Sequence, residues 1–223
     1  MTTRDLAQTA ALVPVKGFAG AKRRLADVLS PVQRASLAEA MLRDVVTAAR
    51  QCGEIDRVIL LGGADARRLA GLLGVEWLDD TDAPDLNTAL TRAAQRLADK
   101  ALRRVLVLPG DLPTVQSAQI AALLARNEQG LTVCPAQSDG GTNALVISPP
   151  DALEFCFGPD SARRHLAAAL AAGLPAHKES LAAFARDVDG PADLRWLATQ
   201  PAGACTADWL ADQANAGPAA RRA

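Results

Sequence analysis

Leu12-Val13-Pro14-Val15 is a short apolar strand, and it opens a strand–helix–strand unit that sets the architecture of this chain. The intervening helix is predicted to start at Ser30-Pro31, with Ser30 as N-cap and Pro31 at the first helical position. Apolar residues then recur at three- to four-residue spacing towards Gly53, which is predicted to end the helix. A second apolar strand follows over residues 57–61. A helix between two consecutive strands is the usual way to make them parallel.

The same alternation continues along the chain. Predicted strands cover residues 75–78, 105–108, 131–134, 143–147 and 184–188, and predicted helices cover 64–73, 87–100, 116–127, 151–155, 161–172 and a last segment that Pro191 opens. This pattern indicates an α/β fold, a mostly parallel sheet with helices on both faces. We expect one domain over residues 1–200. A weakly ordered tail rich in Ala, Gly and Pro is expected over residues 201–223.

The composition is that of an ordinary globular protein, with 223 residues of which 49% are hydrophobic and 22% are charged. A net charge of −1 gives no global attraction to nucleic acid or to an anionic membrane, so neither partner is expected. The four cysteines include no C-x-x-C pair, which argues against zinc and redox motifs. The first nine residues do not resemble a signal peptide, and no apolar stretch reaches the ~20 residues that span a bilayer. A cytoplasmic protein is therefore expected.

Three aspartates stand where α/β proteins bind ligands, beyond the carboxyl ends of strands. Asp111 follows one apolar strand, and Asp187 and Asp189 alternate near the end of another. Alternate residues of an extended segment share a face, so the last two carboxylates would lie close together and require a positive partner. Oxygen ligands suit Mg²⁺, with Asp111 as a third carboxylate. In the alternative, Asp189 caps the helix opened by Pro191, and Asp187 is solvated.

Two further regions are suited to anions. The basic loop from Lys16 to Arg24 follows the first strand and could hold a triphosphate, although it matches no generic phosphate motif. The turns at residues 139–145 and 157–161 offer backbone donors, and the second turn also opens a helix whose N-terminus attracts anions. The alternatives are a solvated loop and two purely structural turns.

Ser161 is predicted to be the N-cap of the helix that follows the second turn. His165 lies one helical turn later, so it either faces the same pocket as Ser161 or packs elsewhere in the core or on the surface. No arrangement of Ser, His and Asp indicates a nucleophilic triad. The chemistry is therefore expected to depend on charge and positioning.

Taken in order, these motifs resemble the 2-phospho-L-lactate guanylyltransferase family, whose bacterial members include phosphoenolpyruvate guanylyltransferases of coenzyme F-420 biosynthesis. The resemblance covers about residues 12–197. The segments that carry it are Val13–Lys16, Ala21–Leu25, Leu37–Val45, Leu86-Asn87, Asp111–Pro113, Asp139–Leu145, Phe157–Pro159 with Ser161 and His165, and Asp187–Asp189.

The resemblance implies a Rossmann-like nucleotidyltransferase fold and the joining of GMP from GTP to a three-carbon phosphorylated acid, with release of pyrophosphate. The acid would be 2-phospho-L-lactate, phosphoenolpyruvate or 3-phosphoglycerate, and a downstream deazaflavin-accepting transferase would take the product. Mg²⁺ would be held by Asp111, Asp187 and Asp189, and the carboxylate of the acid by Thr142, Gly158 and Ser161. GTP would contact Pro14, Val15, Lys16, Leu86 and Asn87, and catalytic charge would come from Lys16, Lys22 and Arg24.

Other assignments stay open at this point. A different nucleotidyltransferase, making a sugar nucleotide or a molybdopterin guanine dinucleotide, would usually carry a Gly-rich first loop. A non-catalytic nucleotide-binding module would not need three aspartates at strand ends. The chain differs from the family pattern at Asp85, where glycine is expected, and at Ala162, where an aromatic residue is usual. The oligomeric state is also open, with a homodimer as one option.

Overall fold

The computed structural model describes residues 9–215 and is built around a seven-stranded sheet. The strands are β1 (Thr9–Val15), β2 (Arg57–Gly62), β3 (Glu76–Leu78), β4 (Arg104–Val107), β5 (Gly130–Pro135), β6 (Thr142–Ser148) and β7 (Ala176–Lys178). Their order across the sheet is β3-β2-β1-β4-β6-β5-β7. Strand β6 is antiparallel to both of its neighbours, and the other pairs are parallel. The predicted mostly parallel α/β sheet is therefore confirmed.

Eight helices surround this sheet in the described part of the chain. They are α1 (Pro31–Arg50), α2 (Ala64–Leu73), α3 (Leu86–Ala98), α4 (Ser117–Leu124), α5 (Ser161–Ala171), α6 (Ala182–Ala185), α7 (Pro191–Leu197) and α8 (Ala204–Asn215). The predicted start of α1 is confirmed, because Ser30 Oγ accepts from the backbone N–H of Gln33 at 3.3 Å in a capping box. None of the helices in residues 9–215 is long and apolar enough to cross a membrane.

Alternate residues of the strands feed two separate cores, one on each face of the sheet. In β1, Ala11 and Val13 join a core with α1, α2 and α4, whereas Ala10 and Leu12 join a core with α3 and α5. A third cluster lies on the outer side of α1, where Met41 packs with residues of α7 and α8. Helix α1 is thus buried on both sides, which explains its nine buried positions.

The C-terminal part of the chain differs from the sequence prediction. Residues 204–215, in the stretch expected to be weakly ordered, form α8, and residues 216–223 lie outside the described part of the chain. The carboxylate of Asp44 in α1 accepts from the backbone N–H groups of Cys205 at 2.9 Å and Thr206 at 2.8 Å. Trp209 packs against α1 and donates to Ser36 Oγ at 2.8 Å. These tertiary contacts order a segment whose composition alone favours disorder.

Two local predictions are wrong, and one strand was missed. Residues 184–188 form no strand, because Phe184 lies in helix α6 and packs in one core, whereas Val188 packs in the third cluster. The seventh strand is instead β7, which lies at the edge of the sheet and pairs with β5. Residues 151–155 form turns and bends in place of the predicted short helix.

The antiparallel direction of β6 brings a second set of residues to the ligand-binding edge of the sheet. Val107 of β4 pairs with Leu12 of β1 on one side and with Leu145 of β6 on the other. Because β6 runs in the opposite direction, its first residues, Thr142 and Asn143, lie at the edge where β1 and β4 end. The loops after β1 and β4 therefore meet the turn that precedes β6.

Candidate active site

The three predicted acidic residues come together at this edge. Asp111, Asp187 and Asp189 each offer a carboxylate oxygen, and these three oxygens lie within 4.8 Å of one another. The two loops that carry them are joined by a backbone hydrogen bond of 3.1 Å from the N–H of Val188 to the carbonyl of Asp111. Although residues 186–189 belong to no strand, they are not helical either, and the alternation places Val188 in the core between two outward carboxylates.

Lys22 lies against this acidic cluster. Its Nζ donates to Asp111 Oδ2 at 2.7 Å and to Asp189 Oδ1 at 2.8 Å, and its side chain is only 10% exposed. Burial disfavours the ammonium, but the charges of Asp111 and Asp189 outweigh burial and raise the pKa of Lys22 above its usual value. Lys22 has φ 52° and ψ 47°, a left-handed conformation that is rare for a residue with a side chain. Arg24 is more distant, 3.8 Å from Asp189 Oδ2 and 78% exposed.

The donor set fits a hard divalent cation. The cluster offers three carboxylates and no nitrogen or sulfur ligand, and Mg²⁺ and Ca²⁺ prefer such oxygen ligands. The ammonium of Lys22, at hydrogen-bond distance from two of the three groups, marks the place where positive charge is stabilised. This arrangement supports the predicted ligands as a cation-binding cluster.

Asp189 is free to serve that cluster because Asp193 caps the neighbouring helix. Asp193 Oδ2 accepts from the backbone N–H of Gly190 at 2.8 Å and of Asp189 at 3.2 Å at the start of α7. The alternative, in which Asp189 itself caps this helix, is therefore wrong. Asp193 was not predicted to cap α7, although an acidic residue three positions after the N-cap is a recognisable capping signal.

Asn143, in the segment Asp139–Leu145 that carries part of the family resemblance, also contacts the acidic cluster. Its Nδ2 donates to Asp187 Oδ1 at 3.4 Å. Burial, then the charge of Asp111, raises the pKa of Asp187 above the ordinary value for an aspartate. The neighbour of Asn143, Thr142, points to the opposite side of β6, so two consecutive residues serve two different parts of the site.

A cavity of about 700 Å³ adjoins the acidic cluster and has the size of a small-ligand site. The loop after β1 forms one wall, with Pro14, Val15 and Lys16, and Asp111 and Leu86 line other parts. Lys16 is exposed at this wall, and Lys22 also lines the cavity. The cavity thus brings the predicted GTP contacts Pro14, Val15, Lys16 and Leu86 next to one predicted metal ligand.

Asn87 does not line this cavity. Its Oδ1 accepts from the backbone N–H of Phe157 at 2.6 Å, and its Nδ2 donates to the carbonyl of Phe157 at 3.2 Å. Phe157 is itself a cavity-lining residue. Asn87 therefore contacts the cavity through Phe157, and the amide fixes the loop that precedes α5.

The predicted acid-binding residues Thr142 and Ser161 are in direct contact. Their hydroxyl oxygens are 2.8 Å apart, and Thr142 Oγ1 is 3.3 Å from Nδ1 of His165. All three residues are buried. Ser161 is not the N-cap of α5 as predicted: Asp160 occupies that position, and the Ser161 hydroxyl is directed to Thr142 instead. Gly158 is exposed in the loop just before the helix.

The two glycine-containing turns pack on one another. Asp139 Oδ1 accepts from the backbone N–H of Gly141 at 2.8 Å, which makes Asp139 a turn former and keeps it out of the acidic cluster. Gly140 has φ 68°, where glycine is favoured, and its carbonyl accepts from the N–H of Ala162 at 3.2 Å. The N–H of Ser161 is bound by the Gly158 carbonyl at 3.1 Å. Because these N–H groups at the start of α5 are already bonded within the protein, the hydroxyl groups of Thr142 and Ser161 are the better candidates to bind an anion here.

The chain is similar in sequence to proteins of one known family. The family described as "Guanylyl transferase CofC like" matches residues 9–213. A phosphoenolpyruvate guanylyltransferase from Roseiflexus sp. is 40% identical over 194 residues, 86% of this chain and 85% of the relative. A 3-phospho-D-glycerate guanylyltransferase from Phenylobacterium zucineum is 34% identical over 207 residues, 91% of this chain and 95% of the relative.

Solved structures show the same fold at low sequence identity. A protein from Desulfovibrio desulfuricans G20, provisionally assigned as a nucleotide-diphospho-sugar transferase, has a TM-score of 0.76 at 19% identity and covers 93% of this chain and 95% of its own. A 4-diphosphocytidyl-2C-methyl-D-erythritol synthase from Anaerococcus prevotii has a TM-score of 0.60 at 8% identity, covering 90% and 95%. The fold is thus the Rossmann-like fold of nucleotidyltransferases, and the chain belongs to the CofC-like guanylyl transferase family.

Proposed function

We propose that this chain transfers GMP from GTP to a three-carbon phosphorylated acid and releases pyrophosphate, as a step of coenzyme F-420 biosynthesis in the cytoplasm. The observation that carries the proposal is the cluster of Asp111, Asp187 and Asp189, which reaches the 700 Å³ cavity through Asp111. Relatives named for phosphoenolpyruvate and for 3-phospho-D-glycerate support this class of acceptor. 2-Phospho-L-lactate is a third candidate acid. A downstream deazaflavin-accepting transferase would consume the product.

The reaction needs positioning more than proton transfer. A phosphate oxygen of the acid attacks the α-phosphorus of GTP and forms a new P–O bond. The bond from this phosphorus to the oxygen that bridges to the β-phosphate breaks, and pyrophosphate leaves with both electrons. The attacking phosphate is already anionic, so no general base is required. Holding two anions in line is therefore the main task of the protein.

The chain's own residues divide this task between two sides. Lys16 at the cavity wall, with Lys22 and Arg24 beside the acidic cluster, supplies positive charge for the triphosphate. Pro14, Val15 and Leu86 provide the apolar part of the wall for the nucleotide, and Asn87 acts through the Phe157 loop. Thr142, Ser161 and Gly158 are proposed to receive the carboxylate of the acid.

Mg²⁺ is the cation proposed for Asp111, Asp187 and Asp189. When bound, it would neutralise charge on the phosphate oxygens of the substrates. The ammonium of Lys22, which contacts two of these carboxylates, has to give up at least part of that contact to make room for the cation. Lys22 also lines the cavity, so once its ammonium leaves the carboxylates it would be available to bind the triphosphate.

The test is a product assay with defined substrates. The protein is incubated with Mg²⁺, one of GTP, ATP, CTP or UTP, and one acceptor, which is each of the three acids in turn or a sugar 1-phosphate. Pyrophosphate is measured, and mass spectrometry identifies the GMP-linked acid and, with the downstream transferase added, the deazaflavin product. We expect turnover with GTP and one preferred acid. A preference for another nucleotide with a sugar phosphate, or no pyrophosphate with any pair, would contradict the proposal.

A further inference from the structure

His165 is a buried residue that the proposed chemistry does not use. It is only 1% exposed, and each of its ring nitrogens has a defined partner. The backbone N–H of Cys156 donates to Nε2 at 2.9 Å, and Nδ1 lies 3.3 Å from Thr142 Oγ1. Phe157 and Phe155 meet the ring edge-on, with centroid distances of 5.0 Å and 6.3 Å. The ring is thus fixed by hydrogen-bond partners at both nitrogens and by two phenylalanine side chains.

The Cys156 contact fixes which nitrogen carries the proton. A backbone N–H can only donate, so Nε2 has to be the bare, accepting nitrogen of a neutral ring. The proton is then on Nδ1, which lies 3.3 Å from Thr142 Oγ1 and also donates to the backbone carbonyl of Ser161, so Nδ1 cannot accept a proton from the Thr142 hydroxyl. Burial, followed by the charge of Arg164, lowers the pKa of His165 to about 4, although a backbone hydrogen bond with Ser161 opposes this shift. The neutral ring is therefore the form present near pH 7.

This tautomer controls the hydroxyl protons of Thr142 and Ser161. The two hydroxyls carry two protons, and one of them occupies the 2.8 Å contact between the oxygens. If Nδ1 were an acceptor, it would take the other proton and leave the pair with nothing to donate. Because Nδ1 is a donor, the second hydroxyl proton stays available to a ligand. Thr142 is the more exposed of the two residues, at 7% against 0% for Ser161.

We propose that His165 is a positioning residue of the acceptor site, whose Nδ1–H orients the Thr142–Ser161 hydroxyl pair so that one hydroxyl proton is donated to the acid. The inference rests on the proposed function for the identity of the acid. The orientation itself depends on the contacts of the ring with Cys156, with Thr142 and with the backbone of Ser161. The same ring also links the acceptor side to the nucleotide cavity, because Phe157 lines that cavity.

Two substitutions separate the two contacts of the ring. His165→Asn keeps a donor near the Nδ1 position and removes the acceptor for Cys156. His165→Gln places its amide near the Nε2 position, where it can accept from Cys156, and removes the donor to Thr142. His177, the other histidine of the chain, is exposed on β7, so His177→Gln is the matched control.

The kinetic test uses the acid that gives the highest turnover in the product assay. It compares the KM for that acid with the KM for GTP in each variant. Loss of one hydrogen bond to an oriented hydroxyl corresponds to about tenfold in affinity. We therefore expect His165→Gln to raise the KM for the acid about tenfold with little change for GTP. His165→Asn should stay within about threefold of the control, by the same reasoning. Equal increases in both KM values, or the same increase in both variants, would overturn the inference.

The tautomer can be measured without any substrate. The His177→Gln protein retains a single histidine, so a long-range proton–nitrogen NMR correlation reports on His165 alone. We expect a protonated Nδ1 and a bare Nε2 at pH 7. Because this measurement uses the His177→Gln protein, it tests the inference even if the His165 variants do not fold. A protonated Nε2 in an active enzyme would reject the inference alone. Absence of guanylyl transfer by the wild-type chain would instead reject the proposed function and the acceptor role together.

Discussion

At the scale of single residues, the acidic cluster depends on neighbouring side chains that keep its carboxylates in place and available to a cation. The carboxylate of Asp189 can contribute to the acidic cluster because Asp193 satisfies the backbone N–H groups at the start of α7. Asn143 likewise gives Asp187 a neutral donor, at 3.4 Å, in a place where burial disfavours its charge. The contact of Asn143 with Asp187 was not predicted, because the chain brings these two residues together only when it folds. The cap by Asp193 is a local signal that the prediction overlooked.

Asp189→Asn removes one charge from the proposed metal site and keeps the shape of the side chain. A metal contributes several kcal/mol to the stabilisation of transition-state charge, so we expect kcat to fall by about 100- to 1000-fold with the fold intact. Pyrophosphate release measures the rate, and circular dichroism measures the fold. Asp27→Asn, at an exposed aspartate in the same region, is the control. Near-normal Mg²⁺-dependent turnover of Asp189→Asn would contradict the assignment.

His165 should also make stability depend on pH. Its pKa is about 4 in the folded protein, against an ordinary value of 6.5, so the unfolded chain binds a proton first as the pH falls. The free energy of unfolding should therefore decrease between about pH 6.5 and 4, by roughly 3 kcal/mol in total. Urea titrations of the wild type and His165→Gln measure this difference. Subtracting the variant removes the effect of Asp187, whose raised pKa acts in the opposite direction.

At the scale of elements, α8 is the clearest example of a helix that depends on tertiary contacts. Its first residues find their hydrogen-bond partner in Asp44, a buried carboxylate of α1. Gly203, just before the helix, is packed so closely on Asp44 that a Cβ atom there would lie 2.3 Å from its Cγ. The helix start is therefore built around this one side chain.

Asp44→Ala should release α8 from α1. Two hydrogen bonds to a charged cap are lost and the N–H groups stay partly buried, so we expect a loss of about 2 kcal/mol in the free energy of unfolding. Denaturant titration measures the loss, and hydrogen exchange should become faster over residues 204–215. Asp208→Ala, at an exposed aspartate within α8, should leave both unchanged. Unaltered exchange in Asp44→Ala would show that the cap does not hold the helix.

At the scale of the whole molecule, the sheet collects distant parts of the chain at one edge. The loops after β1 and β4, the turn before β6 and the loop after α6 meet there, over two cores that are buried on either face of the sheet. A ligand that contacts these loops therefore connects segments from across the sequence. Binding should stabilise the protein as a unit, because a ligand that prefers the folded state shifts the unfolding equilibrium.

GTP with Mg²⁺ should raise the midpoint of thermal unfolding. At a ligand concentration of 100 times Kd the stabilisation is about 2.7 kcal/mol. For a protein of this size the midpoint should rise by roughly 5–10 °C. Differential scanning fluorimetry measures the shift, with EDTA as the comparison and Asp189→Asn as the control variant. EDTA should abolish pyrophosphate release and most of the shift, whereas equal shifts with and without the metal would contradict a metal-dependent site.

Local pattern was sufficient for most of the alternating elements, for the Ser30 cap and for the grouping of the three aspartates, because apolar strands and the residues that follow them are recognisable in short stretches of sequence. It failed where packing overrides composition. The segment from Phe184 to Val188 has the apolar alternation of a strand, but its two apolar ends belong to different cores. The edge strand β7 has only three residues and no apolar run. Helix α8 depends on Asp44, 160 positions earlier in the chain, and no local signal indicates that contact.

The two sides of the site are encoded differently along the chain. The proposed acid-binding residues and their supporting histidine all lie in one uninterrupted stretch, residues 139–165, whereas the cation cluster and the basic loop draw on three separate segments. Side-chain hydrogen bonds join this stretch to the rest of the site, from Asn143 to Asp187 and between Asn87 and the backbone of Phe157. If these residues recognise the acid, we expect exchange of this one stretch between relatives to change the preferred acceptor, provided that the pairing of β6 with β4 and β5 and the position of Phe157 in the cavity wall are kept.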